Sequence, residues 1–297
     1  MTYSFIRRSA LGLGAGLFVV APLVLFAAPA NAGNYKTIPF QTTRKNAGTP
    51  NSSDVTKNAK GQVTKYGNKY ITYTIPSSSL DKLGQALFME NCASCHGSQA
   101  NGVPTSAVGS YPDLVGLGPA TIDFWIDSGR MPAKDPEAVE ALRRQPALNP
   151  HQAQAIAAWV DSLSPSYPGI PTPHLKNANV SEGQQLFALN CAACHTIEGD
   201  GDALAYSTFA PSLRHIPAFQ VVEAIRTGPA NMPRFTGNLS DQQVDDIVKY
   251  VTTEIQHPNN PGGFGLGGLG PVAEGFIALL VGVGFLALIC YWIGDRS

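Results

Sequence analysis

Charge is scarce in this chain. Only 14% of its 297 residues are Asp, Glu, Lys or Arg, and they nearly cancel, leaving a formal net charge of −1. A near-neutral chain offers no electrostatic footprint for nucleic acid. So little charge is also unusual for a fully soluble protein and points to a membrane contribution. Cysteine and methionine are scarce too, at five and four residues. Their positions are therefore informative. Cys92, Cys95, Cys191 and Cys194 fall in two identical spacings, and Cys290 sits in an apolar run near the C-terminus.

Both ends of the chain are apolar. Arg7 and Arg8 precede an apolar stretch from Leu11 to Ala28, followed by the small-x-small site Ala30-Asn31-Ala32. Residues 1–32 read as a secretory signal, or, given the length of the stretch, as a retained N-terminal anchor. Residues 275–293 are almost purely apolar, end in Tyr291 and Trp292, and precede Arg296. Length, aromatic belt and terminal cation predict one transmembrane helix. The cation places the tail, residues 294–297, in the cytoplasm and everything before the helix outside.

Between the ends, residues 33–75 form a leader with seven Lys/Arg against Asp54 alone. Val63 to Ile75 reads either as a β-hairpin, with a Gly67-Asn68 turn and Ile71, Tyr73 and Ile75 on one face, or as an extended arm lying on the rest of the chain. Beyond the leader the sequence repeats. Gly84-Gln85-Ala86-Leu87-Phe88 runs into Asn91-Cys92, and Gly183-Gln184-Gln185-Leu186-Phe187 into Asn190-Cys191, at an offset of 99 residues. Pro112, Leu114, Ile126 and Gly129 recur at that offset as Pro211, Leu213, Ile225 and Gly228. Ile156 to Val160 is echoed by Ile247 to Val251. Two copies of one mainly helical domain are expected, at 76–165 and 174–258. A proline-rich, stiff linker at 166–173 joins them. In each copy a first helix ends in the cysteine motif, a short helix precedes Gly129 or Gly228, and a last helix starts near Pro150 or Ser240. Ser240 with Gln243 resembles a capping box. Strand signals inside the copies are weak.

Cys92-Ala93-Ser94-Cys95-His96 and Cys191-Ala192-Ala193-Cys194-His195 share the pattern C-x-x-C-H, the attachment signal for c-type haem. Cysteines at i and i+3 lie on one face of a helical turn, so both reach the two vinyl groups of one porphyrin. The following histidine is carried beneath the iron. Zinc would want its cysteine pairs closer together, and a redox disulfide would not need the histidine. Two haems are therefore expected, attached at Cys92/Cys95 and Cys191/Cys194. The sixth ligand is found by elimination. Met1 is in the leader, and Met89 lies on the helix that enters the first motif. Met131 and Met232 remain, 35 and 37 residues beyond their histidines and each followed by proline. The expected axial pairs are His96/Met131 and His195/Met232. Thioether ligation raises the potential and closes the site, which suits electron transfer. His151, His174, His215 and His257 have no counterparts across the repeat and read as surface or structural, and Tyr111, Trp125 and Trp159 as packing.

Each copy is acidic, with nine Asp/Glu against five Lys/Arg in both 76–165 and 166–258. Acidic modules on an anchor suggest fixed, short-range transfer within an assembly. Three rival functions share some of these features. They are a membrane-anchored cytochrome subunit of a periplasmic dehydrogenase, a dihaem peroxidase and a structural metal-binding module.

The segments Gly129-Arg130-Met131-Pro132, Thr227 to Pro233 and Pro261 to Gly275 carry a more specific likeness. The chain resembles the dihaem cytochrome c subunit of the actinobacterial menaquinol–cytochrome c reductase, from about Leu83 to Ser297. The resemblance implies two tandem cytochrome c domains on one C-terminal transmembrane helix. It implies a respiratory subunit with no catalytic site beyond electron transfer. The donor would be a Rieske iron–sulfur protein beside cytochrome b, and the acceptor a cytochrome aa-type oxidase. Residues 259–274, rich in glycine but interleaved with Phe264, Leu266 and Leu269, are expected to dock the chain in that complex.

Overall fold

The computed structural model describes residues 54–106, 109–135, 138, 140–258 and 271–295. The signal or anchor at 1–32, the leader up to residue 53, the glycine-rich stretch 259–270 and Arg296 lie outside the described residues.

Each copy is built around a crossing of its first and last helices. In the first copy these are α1 (Asp81–Asn91) and α4 (Pro150–Leu163), with the short α2 (Ala93–His96) and α3 (Pro119–Asp127) between them. In the second they are α5 (Val180–Asn190) and α8 (Asp241–Tyr250), with α6 (Ala192–His195) and α7 (Ala218–Thr227). Gly84 and Gly183 explain why glycine recurs. A Cβ at Gly84 would overlap the carbonyl oxygen of Ala155, and one at Gly183 that of Asp246. The two helices can touch backbone to backbone only because neither position has a side chain. Beside each crossing an aromatic pair fills the core. Phe88 and Trp159 have ring centroids 4.5 Å apart, and Phe187 and Tyr250 5.4 Å. The last helices begin on reciprocal caps, Asn149 with Gln152 and Ser240 with Gln243, each satisfying amide donors that a helix start leaves free. Gly129 follows the short helix α3 and Gly228 caps α7, both at positive φ, 68° and 63°, where glycine carries no steric penalty.

The copies are not purely helical. Each carries a small antiparallel hairpin after its cysteine motif, β4 (Val103–Ser106) with β5 (Gly109–Tyr111) and β7 (Asp202–Leu204) with β8 (Thr208–Ala210). These strands are three or four residues long, too short for alternation to register in the sequence.

A four-stranded sheet, in the order β1-β2-β3-β6, joins the leader to the linker. β2 (Val63–Gly67) and β3 (Ile71–Thr74) pair with Tyr66 opposite Tyr73. Tyr66, Ile71 and Tyr73 are buried in one cluster with Phe187, Val222 and Val248 of the second copy. Polar bonds lock the contact. The Tyr73 hydroxyl donates to Asp241 Oδ1 at 2.8 Å and accepts from Arg226 Nε at 3.0 Å, while Arg226 Nη2 reaches the same Oδ1 at 2.7 Å. β1 (Asp54–Lys57) pairs on the outer edge of β2, and β6 (Ile170–Pro173) adds to β3.

The helix α9 (Pro271–Gly294) has 24 residues, and its Gly275–Gly294 portion has a mean hydropathy of 2.5 with none of it buried in the protein. At 1.5 Å per residue that portion rises about 30 Å, the thickness of a bilayer's hydrocarbon core. It is a candidate membrane anchor.

Candidate functional site

The two cysteine motifs occupy equivalent places, each as one helical turn after the first helix of its copy. The Cys92 amide donates to the Phe88 carbonyl at 2.8 Å, and the Cys191 amide to that of Phe187 at 2.8 Å. The turn then ends on the histidine, whose carbonyl accepts from the amide of Gly102 in one copy at 2.9 Å and Gly201 in the other at 3.0 Å. The motif is thus clamped at both ends by backbone bonds.

Both histidines are buried, and both point Nδ1 at a proline carbonyl. His96 Nδ1 lies 2.9 Å from the Pro112 oxygen and His195 Nδ1 3.0 Å from that of Pro211. A carbonyl can only accept, so Nδ1 carries the proton and Nε2 presents a lone pair. That is the tautomer a metal-ligating imidazole needs, with its orientation fixed from behind. Burial lowers both histidine pKa values, partly offset by the same carbonyl bonds. The recurring Pro112 and Pro211 therefore supply equivalent backbone acceptors in the two copies.

The motif cysteines are unpaired. Burial, then the neighbouring Cys95 thiol, pushes Cys92 up to about 11, and burial with Cys194 pushes Cys191 up to about 12. Among the described residues no three His, Cys, Asp or Glu side chains converge as a metal site.

In the second copy one crevice brings the expected residues together. Cys191, Cys194, His195 and Met232 line it, with Phe187, Leu213, Ile225 and Phe235 among its apolar walls. Two thiols, an imidazole with a free Nε2, a thioether and an apolar surround form the donor set that a covalently attached haem requires. In the first copy Met131 is held just past α3, its amide donating to the Trp125 carbonyl at 2.9 Å. His96, its expected partner, is set beside Tyr111, with ring centroids 6.4 Å apart. Met89, excluded on sequence grounds, is an exposed residue of α1.

The copies touch through α3 and α7. Gln220 Nε2 donates to the Asp127 carbonyl at 3.1 Å, Arg143 Nη1 to Gln220 Oε1 at 2.7 Å, and the Phe209 amide to Glu140 Oε2 at 3.0 Å. Phe124, Arg130, Glu140 and Arg143 of the first copy also line the crevice of the second. Sequence reasoning missed these four, because nothing in a charge or an aromatic outside the repeat pattern marks it as facing another domain's site.

Comparison with known proteins agrees with this geometry. The family described as cytochrome c matches residues 82–164, and the family described as cytochrome c oxidase, cbb3-type, subunit III, matches residues 178–251. The cytochrome bc1 complex cytochrome c subunit of Mycobacterium leprae is 37% identical over 233 residues, covering 74% of this chain and 77% of that protein. The protein of the same description from Corynebacterium diphtheriae is 37% identical over 231 residues, covering 72% and 80%. The cbb3-type cytochrome c oxidase subunit FixPc of Rhizobium leguminosarum is 29% identical over 190 residues, covering 57% and 58%.

Proposed function

The chain belongs to the cytochrome c subunits of the cytochrome bc1 complex, and on that premise we propose that it is the dihaem electron-transfer subunit of a respiratory quinol–cytochrome c reductase. It takes electrons from a Rieske iron–sulfur protein beside cytochrome b and relays them to a cytochrome aa-type oxidase.

One observation carries the reading. The two C-x-x-C-H turns are presented identically, each with its histidine anchored through Nδ1 to a proline carbonyl. Cys92/Cys95 and Cys191/Cys194 would hold two haem c groups, with His96/Met131 and His195/Met232 as axial residues. Haem c supplies reversible one-electron chemistry at its iron when bound. The chain's own residues do the rest. The carbonyl-anchored imidazoles fix ring orientation, and the proline after each methionine stiffens the loop that presents sulfur. Aromatic and aliphatic walls exclude water. With His96, Met131, His195 and Met232 committed to holding the two groups, the subunit would have no catalytic centre beyond electron transfer. α9 spans the membrane with the haem domains outside and the C-terminus in the cytoplasm, and the glycine-rich segment before it docks the chain in the complex.

Affinity purification of the full chain in mild detergent tests the assignment. The expected companions are cytochrome b, a Rieske protein and aa-type oxidase subunits. Recovery with a dehydrogenase in place of cytochrome b would overturn it in favour of a dehydrogenase-linked cytochrome.

A further inference from the structure

The crevice of the second copy carries positive charge that the second copy does not supply. Arg130 and Arg143 of the first copy both line it, beside the side chains of the second C-x-x-C-H. Arg130 is only 8% exposed. Its guanidinium lies over the Phe124 ring, 5.2 Å from the centroid, and among the described residues no carboxylate pairs with it. Arg143 is held toward the crevice by Gln220 Oε1 at 2.7 Å. The acid on the same wall, Glu140, uses Oε2 to accept from the Phe209 amide at 3.0 Å. A guanidinium cannot shed its proton at physiological pH, so burying it without an anion is costly. Burial lowers the Arg130 pKa, the nearby Arg143 charge lowers it further, and Glu140 offsets this in part. Among the described residues, Glu140 is the one acid on this wall against two guanidinium groups, which leaves the corner short of negative charge.

We propose that Arg130 and Arg143 bind the propionate carboxylates of the haem attached to the second copy, so that the first domain neutralises the cofactor of the second. The inference rests on the reading that Cys191, Cys194 and His195 hold haem c. Planar guanidinium forks match carboxylates with paired hydrogen bonds, and the apolar surround, here Phe124 and Phe209, strengthens them. Arg130 thereby serves two sites. Its backbone precedes Met131 of the first site, and its side chain faces the second. The cofactor of the second domain ties both domains together. Cationic neutralisation of its carboxylates also favours the reduced iron, which carries one more electron.

The test is a spectroelectrochemical titration of the detergent-solubilised full chain, with covalent haem counted by mass and by haem stain. The second haem is identified as the one whose potential Met232→Ala moves. In Arg130→Gln the second haem's reduction equilibrium is expected to fall by tenfold or more, about 59 mV for a one-electron couple. Its potential also becomes pH-dependent near neutrality, as a propionate released from its cation takes up a proton. Arg143→Gln shifts the same haem in the same direction, and Arg130→Lys restores most of the loss. Arg143 is distant in sequence from any axial residue, so its variant separates this effect from disturbance of Met131. Two haems retained with the second potential unmoved in both glutamine variants, or a shift confined to the first haem, overturns the proposal. A wild-type chain lacking haem at Cys191/Cys194 overturns instead the reading on which it rests.

Discussion

Asp123 and Glu223 meet where α3 and α7 touch, one carboxyl group from each copy. They are 2% and 0% exposed, and among the described residues neither Glu223 oxygen nor Asp123 Oδ1 has a hydrogen-bond donor. Burial, then the nearby Asp127 charge, pushes Asp123 up to about 7, and the Glu223 interaction offsets a little of this. Burial and then Asp123 hold Glu223 well above the usual carboxylate range. Groups raised in this way keep protons in the folded state that the unfolded chain releases. Their contribution to stability is therefore full below about pH 4 and is lost as pH rises through about 7 for Asp123. Asp123→Asn removes one charge and supplies a donor to Glu223. It should stabilise the haem-loaded chain at pH 8 by about 1–3 kcal/mol and flatten the slope of stability between pH 5 and 8. Denaturant unfolding at both pH values checks this, and an unchanged slope would mean that Asp123 does not hold its proton above the usual carboxylate range. The axial residues give a second expectation. Met131→Ala and Met232→Ala should each lower the potential of one haem, a different one in each case, as read by redox titration. Loss of both signals in one variant, or of neither, contradicts the pairing. The cysteines and histidines were legible in the sequence because their spacing is that of the c-type haem attachment signal. Arg130 and Arg143 were not, since a charged side chain carries no period and its burial depends on a domain far along the chain.

Among the elements, the repeat shows which sequence signals have structural causes. Glycine recurs at 84 and 183 because two helices cross there, and the residues at 112 and 211 recur in place because their carbonyls hold the histidines. Gly183→Ala should force α5 and α8 apart and destabilise the second copy by about 1–3 kcal/mol or more, seen as a lowered unfolding midpoint with α1 and α4 undisturbed. A tolerated alanine would mean the crossing is looser than described. The β2–β3 hairpin was readable from alternation, but its turn was not: Gly67 ends β2 opposite Thr72, so the chain turns over Asn68 to Tyr70 and not over Gly67-Asn68. β6 was not, because Pro171 and Pro173 argue against a strand. Their shared parity resolves this. Prolines at alternate positions both turn their missing N–H away from β3, while on the paired side the His174 amide donates to the Tyr70 carbonyl at 2.6 Å. The edge of the sheet tolerates what its interior would not. The linker is thereby bound to the leader hairpin, and that hairpin to the core of the second copy.

For the whole molecule, the two copies are joined three ways: by the sheet through β6, by the contact of α3 with α7, and by the shared wall of one crevice. A pair held so firmly suits a relay of fixed geometry better than two mobile carriers. The C-terminal helix was plain in the sequence, since twenty apolar residues admit few readings. A fixed pair of domains was also to be expected from the short, proline-rich linker, but the residues of the contact were not, because they are polar groups bonding across the interface. In the proposed role electrons cross both domains in series, and electron flow from quinol to oxygen in native membranes is the measurement that decides it. Removing the cysteines of either motif, Cys92→Ser with Cys95→Ser or Cys191→Ser with Cys194→Ser, should abolish that flow while the chain and its remaining haem stay in the membrane. Oxygen consumption persisting at the wild-type rate after loss of either haem would contradict the account.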